Sequence, residues 1–215
     1  MRLAPVLLAL LLTAACGTDT GDDGGTATDP GSSARTGPAS GSPSSAGVPA
    51  ADRPVTTRRV ATVMDTGRPE LCLGPVAESY PPQCRGIPLA GWDWSRHPGS
   101  YETAGDVRWG GYVVTGTFDG TTLTVTRAVP EDDQQPTATD ELSPTGDAGS
   151  FTPGQQQLVQ EKLAAHPVPG TLTVFATPMA VVVEVVHDDG SLQAAADSAY
   201  GAGVVQVRSM LVPVS

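Results

Sequence analysis

The chain has 215 residues and carries 23 acidic against 12 basic side chains, a formal net charge of −11. This balance excludes nucleic acid and anionic lipid surfaces as partners, because both are bound through basic patches. After a leader and a polar tether are set aside, about 158 residues remain, enough for one medium domain or two small ones.

The N-terminus has the layout of a secretory signal peptide that ends at a cysteine. Arg2 precedes the apolar run from Leu3 to Leu12, which is too short to cross a bilayer because a spanning helix needs about 20 residues. Small residues directly before Cys16 resemble the lipobox of bacterial lipoproteins, in which the cysteine is acylated and the peptide is cut before it. We therefore predict a signal peptide over 1–15, lipidation of Cys16 and a lipid-anchored protein of the cell membrane that faces outwards. The alternative is an ordinary secretory signal with an incidental cysteine.

Residues 16–57 contain almost no large apolar side chain and are rich in Gly, Ser, Thr and Pro. Such a segment buries too little surface to offset its conformational entropy. We predict a lipidated cysteine followed by a flexible tether, with a root-mean-square span of about 35 Å. Two interpretations of this segment remain open: a spacer that carries the folded part clear of the membrane, and a simple connector.

A β-rich first lobe is predicted over 58–129. Asp119-Gly120 between two β-branched runs indicates a tight hairpin turn. Five short strands indicate a small closed or half-closed barrel of the OB type. The predicted strands are Val60–Asp65, Leu71–Gly74, Ile87–Trp92, Tyr112–Phe118 and Thr122–Ala128.

Two cysteines, Cys72 and Cys84, lie within this lobe. With Cys16 assigned to lipid, they are the two thiols left in an oxidising compartment, where disulfides persist. We predict that they pair and close a loop of about 13 residues, which contributes about 3 kcal/mol in the chain-entropy model. A redox-active pair and a metal site are the alternatives, but the chain has no Cys-x-x-Cys, and no histidine stands at ligand spacing.

Residues 130–151 are acidic and rich in turn formers, which predicts an exposed linker. The run Glu131-Asp132-Asp133 lacks the ligand spacing of a calcium loop, so we interpret it as a solvated turn.

The second lobe, 152–215, has an α-β-β-α-β pattern that predicts a two-layer structure. Thr152 and Gln155 have capping-box spacing, and Leu158, Val159 and Leu163 are predicted to share one helix face. The last strand-helix-strand unit is long enough for a parallel crossover. The predicted elements are a helix Pro153–Ala165, strands Thr171–Ala176 and Ala180–His187, a helix Ser191–Tyr200 and a strand Val204–Val212. The overall prediction is an α+β protein.

Three segments, Glu70–Cys84, Gly91–Trp94 and Val107–Gly120, resemble a sequence that recurs in uncharacterised actinobacterial lipoproteins and secreted proteins. The resemblance extends over residues 58–215, with its specific motifs in the first lobe. The resemblance implies an extracytoplasmic location and the pairing of Cys72 with Cys84. It implies no activity and no catalytic residue. A composition with Lys162 as the single lysine agrees with a high-GC genome.

The sequence lacks the common motifs of catalytic and cofactor sites. There is no Gly-x-Ser-x-Gly, no His-Glu-x-x-His, no phosphate loop and no dinucleotide fingerprint, so we predict no cofactor, no metal and no enzymatic activity. We interpret His97, His166 and His187 as surface-loop residues. Of the three, His187 comes nearest to a catalytic histidine, because Asp188 follows it in the sequence.

Most of the aromatic side chains fall within the first lobe. We predict either a stacking platform for a sugar or peptide, or core packing, with at least one of Trp92 and Trp94 pointing inward because they alternate along the chain. The candidate ligand-binding residues are Tyr80, Trp92, Trp94 and Trp109.

The function predicted from the sequence is a noncatalytic binding or adaptor module of the cell envelope, with an envelope protein or glycan as partner. An envelope hydrolase whose site is assembled only in the fold, and a structural subunit of an envelope complex, are the alternatives.

Overall fold

The computed structural model describes residues 47–133 and 152–214. The predicted signal peptide, Cys16, most of the tether and most of the acidic linker lie outside the described residues. Within them the protein is mixed α+β and mostly sheet, with two α-helices, as predicted. Neither of these described helices combines the length and the apolar character that a bilayer crossing requires.

Each predicted strand and helix overlaps an element of the structure, but the strands Val55–Thr57 and Glu102–Ala104 were not predicted, and the predicted strand Val204–Val212 is two strands. The strands are β1 (Val55–Thr57), β2 (Ala61–Asp65), β3 (Pro69–Cys72), β4 (Ile87–Ala90), β5 (Glu102–Ala104), β6 (Val107–Phe118), β7 (Leu123–Pro130), β8 (Thr171–Ala176), β9 (Val181–Val185), β10 (Val205–Ser209) and β11 (Leu211–Pro213). The helices are α1 (Pro153–Ala165) and α2 (Ser191–Tyr200).

Eight strands form one sheet in the order β11-β1-β6-β2-β3-β4-β7, with β5 paired to β6. Strand β7 pairs in parallel with β4 and antiparallel with β6, so the pairing path from β6 through β2, β3, β4 and β7 returns to β6. These five strands correspond to the five predicted for the first lobe. Their inward side chains form the main core cluster, with Tyr112, Leu71 and Leu123 among its fully buried members.

The β6–β7 hairpin turns at Asp119-Gly120, as the sequence predicts. The Asp119 carboxylate accepts hydrogen bonds from the backbone N–H groups of Thr122 and Thr121 at 2.7 and 2.8 Å. These bonds hold the pKa of Asp119 below its ordinary value. Gly120 has a φ of +96°, a conformation that L side chains rarely adopt.

The second sheet has the order β10-β9-β8 and contains the predicted crossover. Strands β9 and β10 are parallel and joined by α2, whereas β8 and β9 are antiparallel. Both helices contribute to the same core cluster, Leu163 from α1 and Leu192 and Ala196 from α2. The capping box at Thr152 and Gln155 is present at the start of α1.

One predicted member of the apolar face of α1 lies elsewhere. Leu163 is buried and Val159 is partly buried, but Leu158 is 60% exposed. Leu158 and Leu163 are five positions apart, which separates them by about 140° around a helix axis. The expectation that all three share one face is therefore wrong.

The folded part begins earlier than residue 58, where the sequence placed the end of the tether. Val55 in β1 is fully buried between β11 and β6. Val48 is also buried, and the N–H of Ala51 donates to the carbonyl of Phe118 at 2.9 Å. The predicted boundary at residue 58 is therefore corrected. Strand β1 forms by pairing with β6 on one side and on the other with β11, a strand more than 150 residues away in sequence.

Strand β1 pairs with β6 of the first predicted lobe and with β11 of the second, and it thereby joins the two lobes, which lie in one compact unit, Ser40–Ser215. A second connection is ionic. Glu184 on β9 is 4% exposed and accepts two hydrogen bonds from the Arg59 guanidinium, at 3.0 and 2.9 Å. Arg208 on β10 lies 3.8 Å from the same carboxylate.

Candidate binding cleft

The predicted disulfide between Cys72 and Cys84 is present, with the two Cα atoms 6.1 Å apart. It closes the loop that follows β3. A bridge pairs Ala77 with Gln83 inside this loop, so the chain between the cysteines folds back on itself as a short hairpin. Val76 and Cys84 of this loop pack with Met64 of β2 and Trp109 of β6.

The loop presents Tyr80, whose side chain is 74% exposed. The ring stands edge-on to Trp109, with the ring centroids 5.4 Å apart and the planes at 88°. Trp109 is 7% exposed and packs with Met64 and Cys72. A buried tryptophan on β6 therefore supports an exposed tyrosine on the loop.

A cleft of about 210 Å³ lies beside Trp109. Strand β5 supplies Glu102, which pairs opposite Trp109, and the turn after β7 supplies Glu131 and Asp132. Tyr101 lines the same cleft. The arrangement combines two aromatic rings with three carboxylates, all three of which belong to exposed residues.

Two adjacent glycines of β6 form part of the cleft lining. A Cβ atom on Gly111 would meet the Glu131 side chain, and one on Gly110 would lie 2.6 Å from the Ser100 carbonyl oxygen. Any larger residue at either position would push these neighbours aside. Glycine within a strand often marks such a close approach, so Gly110-Gly111 is a sequence signal that the prediction did not use.

An aromatic cluster lies next to this cleft. Trp92 contacts Trp94, His97 and Tyr112 with ring centroids 5.2, 4.9 and 4.9 Å apart, and Trp94 contacts Tyr101 at 4.8 Å. The Tyr112 hydroxyl donates to the Ser100 carbonyl at 2.7 Å. Burial raises the pKa of Tyr112 to about 12, so the phenol stays protonated as a donor.

The two tryptophans of Gly91–Trp94 have different environments. Trp94 is 6% exposed, and its Nε1 donates to the Asp65 carboxylate at 2.9 Å. Trp92 is half-buried, and its Nε1 is buried without a hydrogen-bond partner. Trp94 is therefore the inward residue of the pair, and its assignment as a ligand-binding residue is corrected: it belongs to the core.

The three histidines are separated in the structure. His97 stacks on Trp92, and burial lowers its pKa, an effect that the nearby Asp93 opposes. His166 is exposed at the end of α1. His187 is 5% exposed, which contradicts its interpretation as a surface-loop residue, and its Nδ1 donates to the carbonyl of Pro49 at 3.1 Å.

Of the four residues predicted to bind a ligand, Trp109 lines the cleft, and Tyr80 contacts Trp109 but does not line the cleft itself. Trp92 lies in the adjacent cluster, and Trp94 is core. The sequence prediction missed Tyr101, Glu102 and Glu131. Glu131 was placed in a solvated linker, and nothing local in its sequence indicates that it faces β6.

No group of three or more His, Cys, Asp or Glu side chains in 47–133 or 152–214 is arranged to hold a metal ion. Comparison with protein-family models, with curated proteins and with solved structures finds no match to this chain. The geometry of the cleft is therefore the basis for any functional assignment.

Proposed function

We propose that this protein is a lipid-anchored, noncatalytic binding module of the cell envelope, of the actinobacterial lipoprotein type that its sequence resembles. The observation that carries the proposal is the cleft beside Trp109, whose lining includes Tyr101 and Trp109 together with Glu102, Glu131 and Asp132. Anchoring at Cys16 accounts for the apolar leader and for the polar segment between that cysteine and the folded part.

The chemistry of the cleft favours a cationic group of an envelope protein or wall polymer as its ligand. Aromatic rings attract cations through their π faces, by about 0.5–1 kcal/mol at exposed sites. Tyr101 is half-buried and Trp109 is 7% exposed, so this attraction comes mainly from Tyr101. The carboxylates of Glu102, Glu131 and Asp132 add Coulombic attraction, and the formal net charge of −11 draws cations towards the molecule.

We also infer that the circuit of β6, β2, β3, β4 and β7 is a small barrel of the OB type. Support comes from its five strands and from the pairing of β7 with both β4 and β6. Barrels of this type bind oligonucleotides and oligosaccharides on one face, and the acidic charge of this chain argues against the former.

A hydrolase is the less favoured alternative. The buried histidine, His187, directs its Nδ1 to a backbone carbonyl rather than to a carboxylate. His97, the histidine nearest the cleft, is held in a stack with Trp92. In a Ser-His-Asp type of site, the imidazole would be oriented by an acidic side chain.

The anchor is tested by replacing Cys16 with alanine. The thiol is the acyl acceptor, so we expect the variant to lose acylation and either to accumulate as the unprocessed precursor or to enter the medium. Detergent phase partitioning and mass spectrometry of the N-terminal peptide measure this. A variant that is still processed, acylated and retained in the detergent phase would contradict the anchor assignment.

The cleft is tested with trilysine as a cationic probe, titrated into the full chain while tryptophan fluorescence is recorded. We expect saturable binding that weakens as salt is added, because the carboxylates at the cleft are solvent-exposed. Replacing Glu131 with glutamine removes one charge from the cleft and should weaken binding about threefold to fivefold, as expected for an exposed ion pair of up to about 1 kcal/mol.

Glu161→Gln is the matched control, because it makes the same chemical change on the exposed surface of α1, outside the cleft lining. We expect it to bind trilysine as the unmodified chain does. Equal weakening in both variants would show attraction to the acidic surface in general. Absence of saturable binding to the unmodified chain would refute the proposed ligand class.

A further inference from the structure

Three sulfur-bearing side chains meet beside the disulfide loop. The Sγ of Cys84 lies 3.8 Å from the Sδ of Met64, and Cys84 is bonded to Cys72. Met64 and Cys72 are 6% and 3% exposed, and both belong to one buried cluster with Trp109. Met64 belongs to neither the cleft lining nor the main core cluster.

The sheet fixes the positions of two of these three residues. Cys72 pairs opposite Thr62, and Met64 lies two positions further along β2. Side chains two positions apart in a strand point to the same face of the sheet, so Met64 and Cys72 share one face. Cys84 comes from the end of the loop that follows β3 and is half-buried. It is therefore the sulfur of the three that reagents reach first.

The spacing of the sulfur atoms suits a metal ion with three sulfur ligands. A metal–sulfur bond is about 2.3 Å long, so three sulfur atoms in a plane around one ion lie about 4 Å apart. The sulfur atoms of Met64 and Cys84 already have this separation. The two cysteine sulfurs are bonded to each other, with Cα atoms 6.1 Å apart, and rotation about their Cα–Cβ bonds separates them once the bridge is reduced.

The chemistry of the ligands selects the metal. Thiolate and thioether sulfur are soft ligands that favour Cu(I), whereas structural zinc is held by four ligands from Cys, His, Asp and Glu. Within residues 47–133 and 152–214, no His, Asp or Glu side chain completes a group of three with the two cysteines. Burial limits the access of water, which favours Cu(I) over the more highly charged Cu(II).

We propose that Cys72, Cys84 and Met64 form a copper(I) site when the disulfide is reduced. A dithiol supplies the two electrons: one of its thiolates attacks the Cys84 sulfur, and Cys72 leaves as a thiolate. The second thiol of the reagent then displaces Cys84, and the reagent leaves as a disulfide. The two cysteine thiolates and the Met64 thioether bind Cu(I), and the thiol protons pass to solvent.

The test uses the full chain with Cys16→Ala in detergent, so that Cys72 and Cys84 are its only thiols. The chain is reduced without oxygen by a phosphine, which becomes the phosphine oxide and is removed. Cu(I) is then added as its acetonitrile complex in competition with bicinchoninate. We expect the reduced chain to bind one Cu(I) ion and the disulfide form to bind none. Tryptophan fluorescence should fall on binding, because Trp109 packs in the same cluster.

Met64→Leu separates a three-sulfur site from a pair of free thiols, because it replaces the thioether by an apolar side chain of similar volume. We expect the affinity for Cu(I) to fall by at least about tenfold, the lower end of the loss when even an outer supporting group of a metal site is removed. X-ray absorption should count two sulfur neighbours of copper instead of three. Met210→Leu is the matched control, because Met210 is 1% exposed in the main core cluster, and it should bind as the unmodified chain does.

Circular dichroism of the reduced chain should keep its β-sheet signal, because the site depends on β2 and β3. Loss of that signal on reduction, no binding of Cu(I) by the reduced chain, or equal binding by the disulfide form would overturn the proposal. A Met64→Leu variant with unchanged affinity, or a Met210→Leu variant that is weakened as much as Met64→Leu, would do the same.

Discussion

Replacing Glu184 with alanine is expected to lower the free energy of unfolding by about 1.5 to 3 kcal/mol, because the substitution removes a buried carboxylate that accepts charged hydrogen bonds. The Arg59 side chain is 45% exposed, so water can hydrate it in the variant. Glu184 is 4% exposed, and its carboxylate accepts two hydrogen bonds from the Arg59 guanidinium. It also faces Arg208, whose side chain is 14% exposed. The substitution removes the carboxylate that contacts both guanidinium groups, and the smaller alanine side chain leaves a cavity beside β9.

Urea unfolding followed by tryptophan fluorescence measures this loss. Glu161→Ala is the control, because Glu161 is exposed on α1 and accepts its hydrogen bond from Gln157 one turn away. Surface substitutions of this kind usually change stability by no more than about 0.5 kcal/mol. If Glu184→Ala cost no more than the control, the Arg59–Glu184 connection would have no role in holding the two parts of the fold together.

Replacing Cys72 with alanine is expected to lower the free energy of unfolding by about 2 to 4 kcal/mol, since the cross-link then no longer restricts the unfolded chain. The loop that it closes carries Tyr80, and the Tyr80–Trp109 contact depends on the position of that loop. We therefore also expect weaker trilysine binding in this variant. Urea unfolding and the fluorescence titration measure the two effects separately.

Cys84→Ala tests the cause of the loss. It removes the same disulfide from a half-buried position, whereas Cys72 is 3% exposed and packs with Met64 and Trp109. Similar losses in the two variants would assign the effect to the cross-link. Peptide mapping without reductant should recover the Cys72 and Cys84 peptides joined, and stability unchanged by reduction of the native protein would contradict the prediction.

Most of the strands and helices were predictable because their signals are local. The capping box at Thr152, the Asp119-Gly120 turn and the alternation of β-branched residues each depend on a few neighbouring residues. Strand β1 was missed for the opposite reason. Its three residues follow a polar tether, and it forms a strand only because β6 and β11 pair with it on either side.

The candidate site was predictable in part. A cluster of aromatic residues in the first lobe is visible in the sequence, but the alternation of Trp92 and Trp94 does not show which of them faces inward. The structure places Trp94 inward through its hydrogen bond to Asp65. Glu131 and Glu102 come to the same cleft because β5 and β7 both pair with β6, which no local pattern indicates.

The sequence by itself determined the α+β composition, the approximate bounds of most strands and helices, and the Cys72–Cys84 pairing, since those depend on local propensity and on the number of cysteines. The tertiary structure alone decided which aromatic side chains are buried and how β11 and Glu184 join the two parts. These features arise from contacts between residues far apart in the chain, whose geometry depends on how the strands pair and pack rather than on any single segment.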